Sequence, residues 1–369
     1  MQYLSTQKLC VGYNKKILIG GIDLEIGAGE IITLIGRNGA GKSTILKSLT
    51  RHLETLGGAV YVNGSDVKSL SYKDFATKFS VVLTERIKTD RMTCREIVEA
   101  GRYPYTNFFG KLKEEDERIV EESIQMVGGE SLSEKLFSDV SDGQKQRILL
   151  ARAICQQPQI MVLDEPTSFL DIRYKIELLG ILRRLAVTRK MSVILSLHEI
   201  DLAAKISDKI ICVDGDKISK TGAPEEIFSG DEIRNLYGLE TGSYNLLFGS
   251  VELEKPLGES KVFVLAGGGT GIPVYRALQR KGIAFSTGIL SENDVDFQVA
   301  EPLAESVISI PAFSVVSDKD ILRAKEAALK AKRIYIAAHS FGACNEKCAE
   351  LIRFAKEAPL SVITDISEI

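Results

Sequence analysis

Much of what would mark out a specialised protein class is missing from this chain. No apolar run approaches the ~18–20 residues that a membrane-crossing helix needs. The opening stretch MQYLSTQKLCVGY has neither the charged start nor the long apolar core of a secretory signal. Both absences lead us to expect an intracellular protein that is soluble by itself. Neither sign of charge dominates: 47 basic and 50 acidic residues leave a net charge of −3. That argues against a protein held on nucleic acid by bulk charge, though not against a local basic patch. Cys10, Cys94, Cys155, Cys212, Cys344 and Cys348 lack the rhythm of a disulfide scaffold, so most are expected as small buried hydrophobes. Internal repeats and low-complexity tracts are absent too.

What is present is length and alternation. The 369 residues suffice for two ordinary domains with full cores, and 44% hydrophobic against 26% charged is a globular balance. Short β-branched runs alternate with helical stretches up to about Glu240. GEIITLIG, QIMVLDE and MSVILSLHE are near-continuous apolar strands of the parallel-sheet type. KIICVDGDKISKTG reads as a hairpin turning at Asp-Gly. A mixed stretch with Gly242, Gly249, Pro256 and Gly258 then marks a boundary, and the alternation restarts at KVFVLA. The expected organisation is a first domain over 1–240, a linker over 241–260 and a small doubly wound α/β domain over 261–369.

GRNGAGKST, Gly36 to Thr44, fits the phosphate-loop pattern through Gly36, Gly41, Lys42 and Ser43, between a predicted strand and a predicted helix. Glycines there let backbone N–H groups wrap phosphate oxygens. Lys42 can reach the β and γ phosphates, and the Ser43 hydroxyl can ligate Mg²⁺. IMVLDEP ends an apolar strand on Asp164 and Glu165. Adjacent acids at a buried strand end are costly unless something cationic or catalytic uses them. Asp164 suits the metal's surroundings, and Glu165 suits polarising the attacking water. His198 ends another apolar strand. Alone it would be a structural histidine; in this sheet its position aims it at the same crevice.

VSDGQKQRILLARA, Val140 to Ala153, raises a different question. Its Ser-Asp-Gly-Gln opening caps an amphipathic helix and so offers a second anion site on a chain that already has one. With this stretch included, residues 2 to 240 resemble the nucleotide-binding subunit of an ABC transporter. That family carries a signature loop, usually Leu-Ser-Gly-Gly-Gln, where this chain has Val140-Ser141-Asp142-Gly143-Gln144. The resemblance implies a P-loop NTPase cassette with a RecA-like core and a helical subdomain, binding ATP with Mg²⁺. It implies a head-to-tail homodimer, in which Ser141, Gly143 and Gln144 reach the γ-phosphate held by the other copy's phosphate loop.

Other positions follow from the same resemblance. Tyr13 would stack on adenine, and Gly36, Asn38, Gly39, Ala40, Gly41, Lys42, Ser43 and Thr44 would hold the phosphates. Ser43 and Asp164 would serve the metal, while Glu165, His198 and Lys42 would carry catalysis. Ser168 to Asp171 resembles the loop coupling the two sites, with Phe169 in place of alanine. The glutamine expected near the transporter-coupling loop is missing, and Thr84 or Glu85 stands there. MTCREIVEAGRYPYTNFFGKL, Met92 to Leu112, resembles the helical region of importers for iron–siderophore, haem and cobalamin. This implies membrane permease partners, a substrate-binding protein acting indirectly, and a place on the cytoplasmic face of the membrane. The alternative is an ABC ATPase working on nucleic acid or ribosomes, but such proteins usually join two cassettes or insert a long coiled coil, and neither is seen.

The last hundred residues leave more open. Gly267, Gly268, Gly269 and Gly271 lie between a strand and a helix, but Ile272 occupies the last glycine position of the dinucleotide pattern. The loop is either a nucleotide site or a tight strand-to-helix turn. His339, Cys344 and Cys348 group after the IYIAA strand, as metal ligands or as a polar strand-end loop facing the glycines. The Rossmann-like unit resembles an extra domain appended to some cobalamin-type importer ATPases.

Overall fold

The computed structural model describes residues 2–83, 89, 91–107, 110–228, 232–240, 243–245 and 249–369. The chain divides into two compact units, Met1–Tyr237 and Gly238–Ile369. In the first unit, the expected apolar runs form strands Ile31–Ile35, Ser192–Ser196 and Ile160–Leu163, every residue of which is buried. Strands with two covered faces need no alternation, which is why these runs are continuous. They are neighbours in one six-stranded sheet. Its order is Lys217–Gly222, Lys209–Asp214, Ile31–Ile35, Ser192–Ser196, Ile160–Leu163, Phe79–Val82. All pairings are parallel except the edge hairpin, whose turn carries Gly215 at φ 63°. The carboxyl ends of three adjacent strands therefore deliver the phosphate loop, His198 and the Asp164–Glu165 pair to one edge.

A second, largely antiparallel sheet joins Lys16–Ile22, Gln2–Tyr13, Gly57–Val62 and Ser65–Asp66, with Glu25–Gly27 paired to the long strand. It brings Tyr13 to the mouth of the same crevice. A helical region follows, with Cys94–Glu99, Glu114–Met126 and Asp142–Cys155. Its buried polar centre is Arg102, 4% exposed, whose Nε donates to Asp116 Oδ1 at 2.9 Å. The same guanidinium donates to the Cys155 carbonyl (2.8 Å) and Gln157 Oε1 (3.2 Å), and lies over the Tyr105 ring at 4.0 Å. Tyr105 donates its hydroxyl to the Gln156 carbonyl at 3.0 Å. The GRYPY segment, a 3-10 turn over Ala100–Tyr105, is thus bolted to the end of the signature helix. Thr84 and Glu85 lie outside the described residues.

The second unit holds a five-stranded parallel sheet in the order Ser306–Ile310, Phe285–Ser291, Val262–Leu265, Arg333–Ile336, Ser361–Ile363. Side chains alternate across it as a pleated strand requires. Phe263 and Leu265 pack with Ile321, Ala324 and Leu351 on one face, while Val262 and Val264 pack with Tyr275, Leu278 and Val299 on the other. Helix Val295–Leu303 and strands Ser306–Ile310 and Ser361–Ile363 complete a pattern the sequence showed only in part. The stretch read as a linker carries strands Ser243–Asn245 and Ser250–Glu252, which pair with each other. Contacts from this region go to the second unit: Asn245 donates to the Gln298 carbonyl, and Arg276 pairs with Glu252 at 3.0 Å.

Candidate functional site

The phosphate loop leaves strand Ile31–Ile35 and enters helix Lys42–Leu49 through three glycines in the left-handed region, Gly36, Gly39 and Gly41, at φ 145°, 79° and 102°. At Gly36 a side chain is also excluded by contact, because an added Cβ would lie 2.1 Å from the Val213 carbonyl oxygen. Lys42 is folded over the loop, its Nζ donating to the carbonyls of Gly36 (2.8 Å) and Arg37 (3.1 Å). Burial pulls the Lys42 pKa below its ordinary value, against the opposing attraction of Glu165 and Asp164.

Across the crevice, Asp164 is 1% exposed, and its Oδ1 accepts from Ser43 Oγ at 3.0 Å and from Ser196 Oγ at 2.7 Å. Ser196 also accepts the Glu165 N–H at 2.9 Å, so one hydroxyl of the middle strand braces both acids. Glu165 has φ 50°, a costly conformation for a non-glycine residue that clusters at functional sites. Its Oε1 lies 2.6 Å from His198 Nε2, and Oε2 accepts from Ser168 Oγ at 3.3 Å. Tyr13, Leu18, Asn38, Gly39, Gly41, Lys42, Ser43, Thr44, Glu165 and His198 line one cleft of about 390 Å³. Thr44 Oγ1 donates to the Tyr13 hydroxyl at 3.4 Å, and Ala40 is buried behind the loop. Two residues here escaped the sequence reading. Neither Leu18 nor Ser196 carried a signal, the serine reading only as the end of the apolar run SVILS.

The signature residues stand apart from this cleft. Ser141 caps helix Asp142–Cys155, its Oγ accepting the Gln144 N–H at 3.3 Å, while Gln144 Oε1 accepts the Ser141 N–H at 3.0 Å. Ser141, Gly143 and Gln144 are not among the residues lining the Tyr13–Lys42 cleft. Phe169 in the following loop is 80% exposed. Left-handed glycines leading from a strand into a helix, a serine–aspartate pair beside them and a glutamate at a neighbouring strand end are the arrangement of a P-loop nucleoside triphosphatase.

Comparison with known proteins narrows the class. Residues 19–168 match the ABC transporter family, and residues 285–368 match the MJ0874 family. The chain is 44% identical over 276 residues to the ABC transporter ATP-binding protein MJ0873 of Methanocaldococcus jannaschii, covering 74% of this chain and 95% of that one. It is 32% identical to the iron(3+)-hydroxamate import ATP-binding protein of Bacillus subtilis, over 65% of this chain and 89% of the relative. It is 29% identical to the cobalamin import ATP-binding protein of Halobacterium salinarum, over 85% and 80%. The fold is similar to that of a putative metal-chelate type ABC transporter in an inward-facing conformation, at TM-score 0.58 and 24% identity over 68% of this chain and 95% of that one. The protein belongs to the ATP-binding proteins of ABC transporters. It is an ABC-type ATPase.

The backbone N–H groups of the second unit's glycine loop point at the chain's own carboxylates. Asp296, 0% exposed, accepts N–H groups from Gly269 (3.1 Å), Gly271 (3.0 and 3.1 Å) and Ile272 (3.1 Å). Asp294 accepts from Gly268 at 3.0 and 3.1 Å. The anion receptor is filled by the chain's own carboxylates, so the nucleotide reading gives way to the tight turn. Burial raises the Asp296 pKa against the pull of those N–H donors. The metal reading of His339, Cys344 and Cys348 fares no better. Among the described residues no three His, Cys, Asp or Glu side chains are grouped to hold an ion. Cys348 is buried in the core, its thiol pushed up to about 11.

Proposed function

We propose that this chain is the ATP-hydrolysing motor of an importer for a metal chelate, of the iron–siderophore, haem or cobalamin kind. The convergence of Lys42, Ser43, Asp164, Glu165 and His198 at the carboxyl ends of three adjacent strands carries the reading. Import relatives supply its direction. Hard oxygen donors at a buried carboxylate fit Mg²⁺, and Ser43 with Asp164 would hold it beside the phosphates. Bound there, the ion would neutralise charge on the β and γ phosphates.

The chain's own residues do the rest. Tyr13 stacks on the base, and Lys42 leaves the Gly36 and Arg37 carbonyls for phosphate oxygens. Glu165 orients the attacking water and takes its proton, while His198 holds that carboxylate in line and faces the γ-phosphate. Ser141, Gly143 and Gln144 complete the site of a second copy in a head-to-tail homodimer. GRYPY, fastened to the signature helix by Arg102 and Tyr105, faces membrane permease subunits, so the protein works at the cytoplasmic face, with a substrate-binding protein acting through the permease. Cells lacking the chain are expected to lose uptake of one labelled chelate among ferric siderophores, haem and cobalamin. Wild-type chain should restore it and Glu165→Gln should not. Undiminished uptake of all three would overturn the reading.

A further inference from the structure

The second unit has a cleft of its own, of about 590 Å³, at the carboxyl ends of its parallel strands. Sheets of this order bind ligands where the strand order reverses, outside the carboxyl ends. Here the reversal lies between Val262–Leu265 and Arg333–Ile336. The loops after those strands meet there: a Cβ built on Gly267 would be 4.0 Å from Asn345 Nδ2 and 3.6 Å from Asp294 Oδ2. The loops after the next two strands add Ser291, Asn293, Phe313 and Ser314.

The chemistry of this cleft runs against that of a nucleotide site. The glycine N–H groups are spent on Asp294 and Asp296. None of the described lining residues is basic, and Asp294 itself is part of the wall. Its two N–H donors, Gly268 and Asp296, leave acceptor capacity on a carboxylate that has about four lone-pair sites. An apolar floor comes from Ile289 and Ile310, and Phe313 stands 84% exposed at φ 59°. A bulky residue in that backbone region is costly and is tolerated where the surroundings impose it. Carboxylate and exposed aromatic ring together suit a cation carrying hydrogen-bond donors.

We propose that the second unit binds an organic amine in the cleft between the glycine loop and residues 342–345, with Asp294 taking the ammonium group and Phe313 covering its apolar part. The site excludes phosphates and nucleotides. It goes beyond the transport reading and does not depend on it.

The full chain contains its own reporter. Cys344 lines the cleft and is the one exposed cysteine of the six. Its alkylation by iodoacetamide can be followed by mass spectrometry of the Cys344 peptide, with benzylamine, spermidine or choline added. Inorganic phosphate and NAD⁺ serve as anionic counterparts. At roughly ten times the Kd about nine-tenths of the clefts are filled, so an amine that binds should slow the reaction about tenfold, saturably. Asp294→Asn keeps an acceptor oxygen but removes the charge, and should abolish the protection. Phe313→Ala should weaken it, and decides the matter if Asp294→Asn fails to fold. The proposal is overturned if phosphate or NAD⁺ protects instead, if no amine protects, or if both variants are protected as well as wild type.

Discussion

Glu165 is held on three sides, by Ser196 at its N–H and by His198 and Ser168 at its carboxylate. Glu165→Gln keeps the shape and removes the carboxylate proposed to act as the base. Nucleotide affinity should stay near wild type while turnover falls about 10²–10⁴-fold, measured by equilibrium binding and steady-state phosphate release. Lys42 has the opposite character. Its folded pKa is lowered, so its contribution to stability is present only above its unfolded value of 10.5 and is lost as pH falls through the folded one. At neutral pH the buried ammonium therefore costs the empty fold stability. Lys42→Met should melt no lower than wild type without nucleotide, yet lose the rise that ATP confers, about 2.7 kcal/mol at 100 times Kd. A clear drop in the nucleotide-free melting point would contradict this. Lys42, Ser43, Asp164, Glu165 and His198 were legible because spacing and strand-end position announce them. Ser196 was not, because a serine in an apolar strand signals nothing until its neighbours in the sheet are known.

The signature helix shows how one element can serve two ends. Ser141 and Gln144 form a reciprocal cap, so Ser141→Ala should cost about 1 kcal/mol of stability whatever its role toward ATP. At the other end of the helix Arg102 and Asp116 form a pair with side chains 5% and 7% exposed. Breaking such a pair leaves one buried charge alone, so Arg102→Met should destabilise by about 3–5 kcal/mol in urea melts. The double variant Arg102→Met with Asp116→Leu should recover most of that loss. Sequence showed the signature helix through its cap and its amphipathic run. It showed the second unit less completely: helix Val295–Leu303 is short and contains Pro302, and strand Ser361–Ile363 has only three residues. The antiparallel sheet around Gln2–Tyr13 was hidden for another reason, since its pairing with Gly57–Val62 is fixed by tertiary contact rather than by any local signal.

At the scale of the whole molecule, the two units carry separate cores, so residues 1–237 alone should fold and keep ATP binding. Both units bury thiols. Burial pushes Cys155 and Cys348 up to about 11 and Cys212 to about 12, from an ordinary 9.0. With the folded value raised, the linked stability is complete below pH 9 and is lost as pH rises through 11 to 12. Melting points should therefore fall across that range, and Cys348→Ala should flatten the fall for the second unit. The central claim is that the signature loop of one copy completes the ATP site of another. Its most direct test mixes Ser141→Ala chains with Lys42→Ala chains and measures steady-state hydrolysis. A mixed dimer holds one doubly damaged site and one intact site, so the mixture should hydrolyse ATP faster than either variant alone. If both motifs serve one site within one chain, every site in the mixture is damaged, and the rate will not exceed the mean of the two variants.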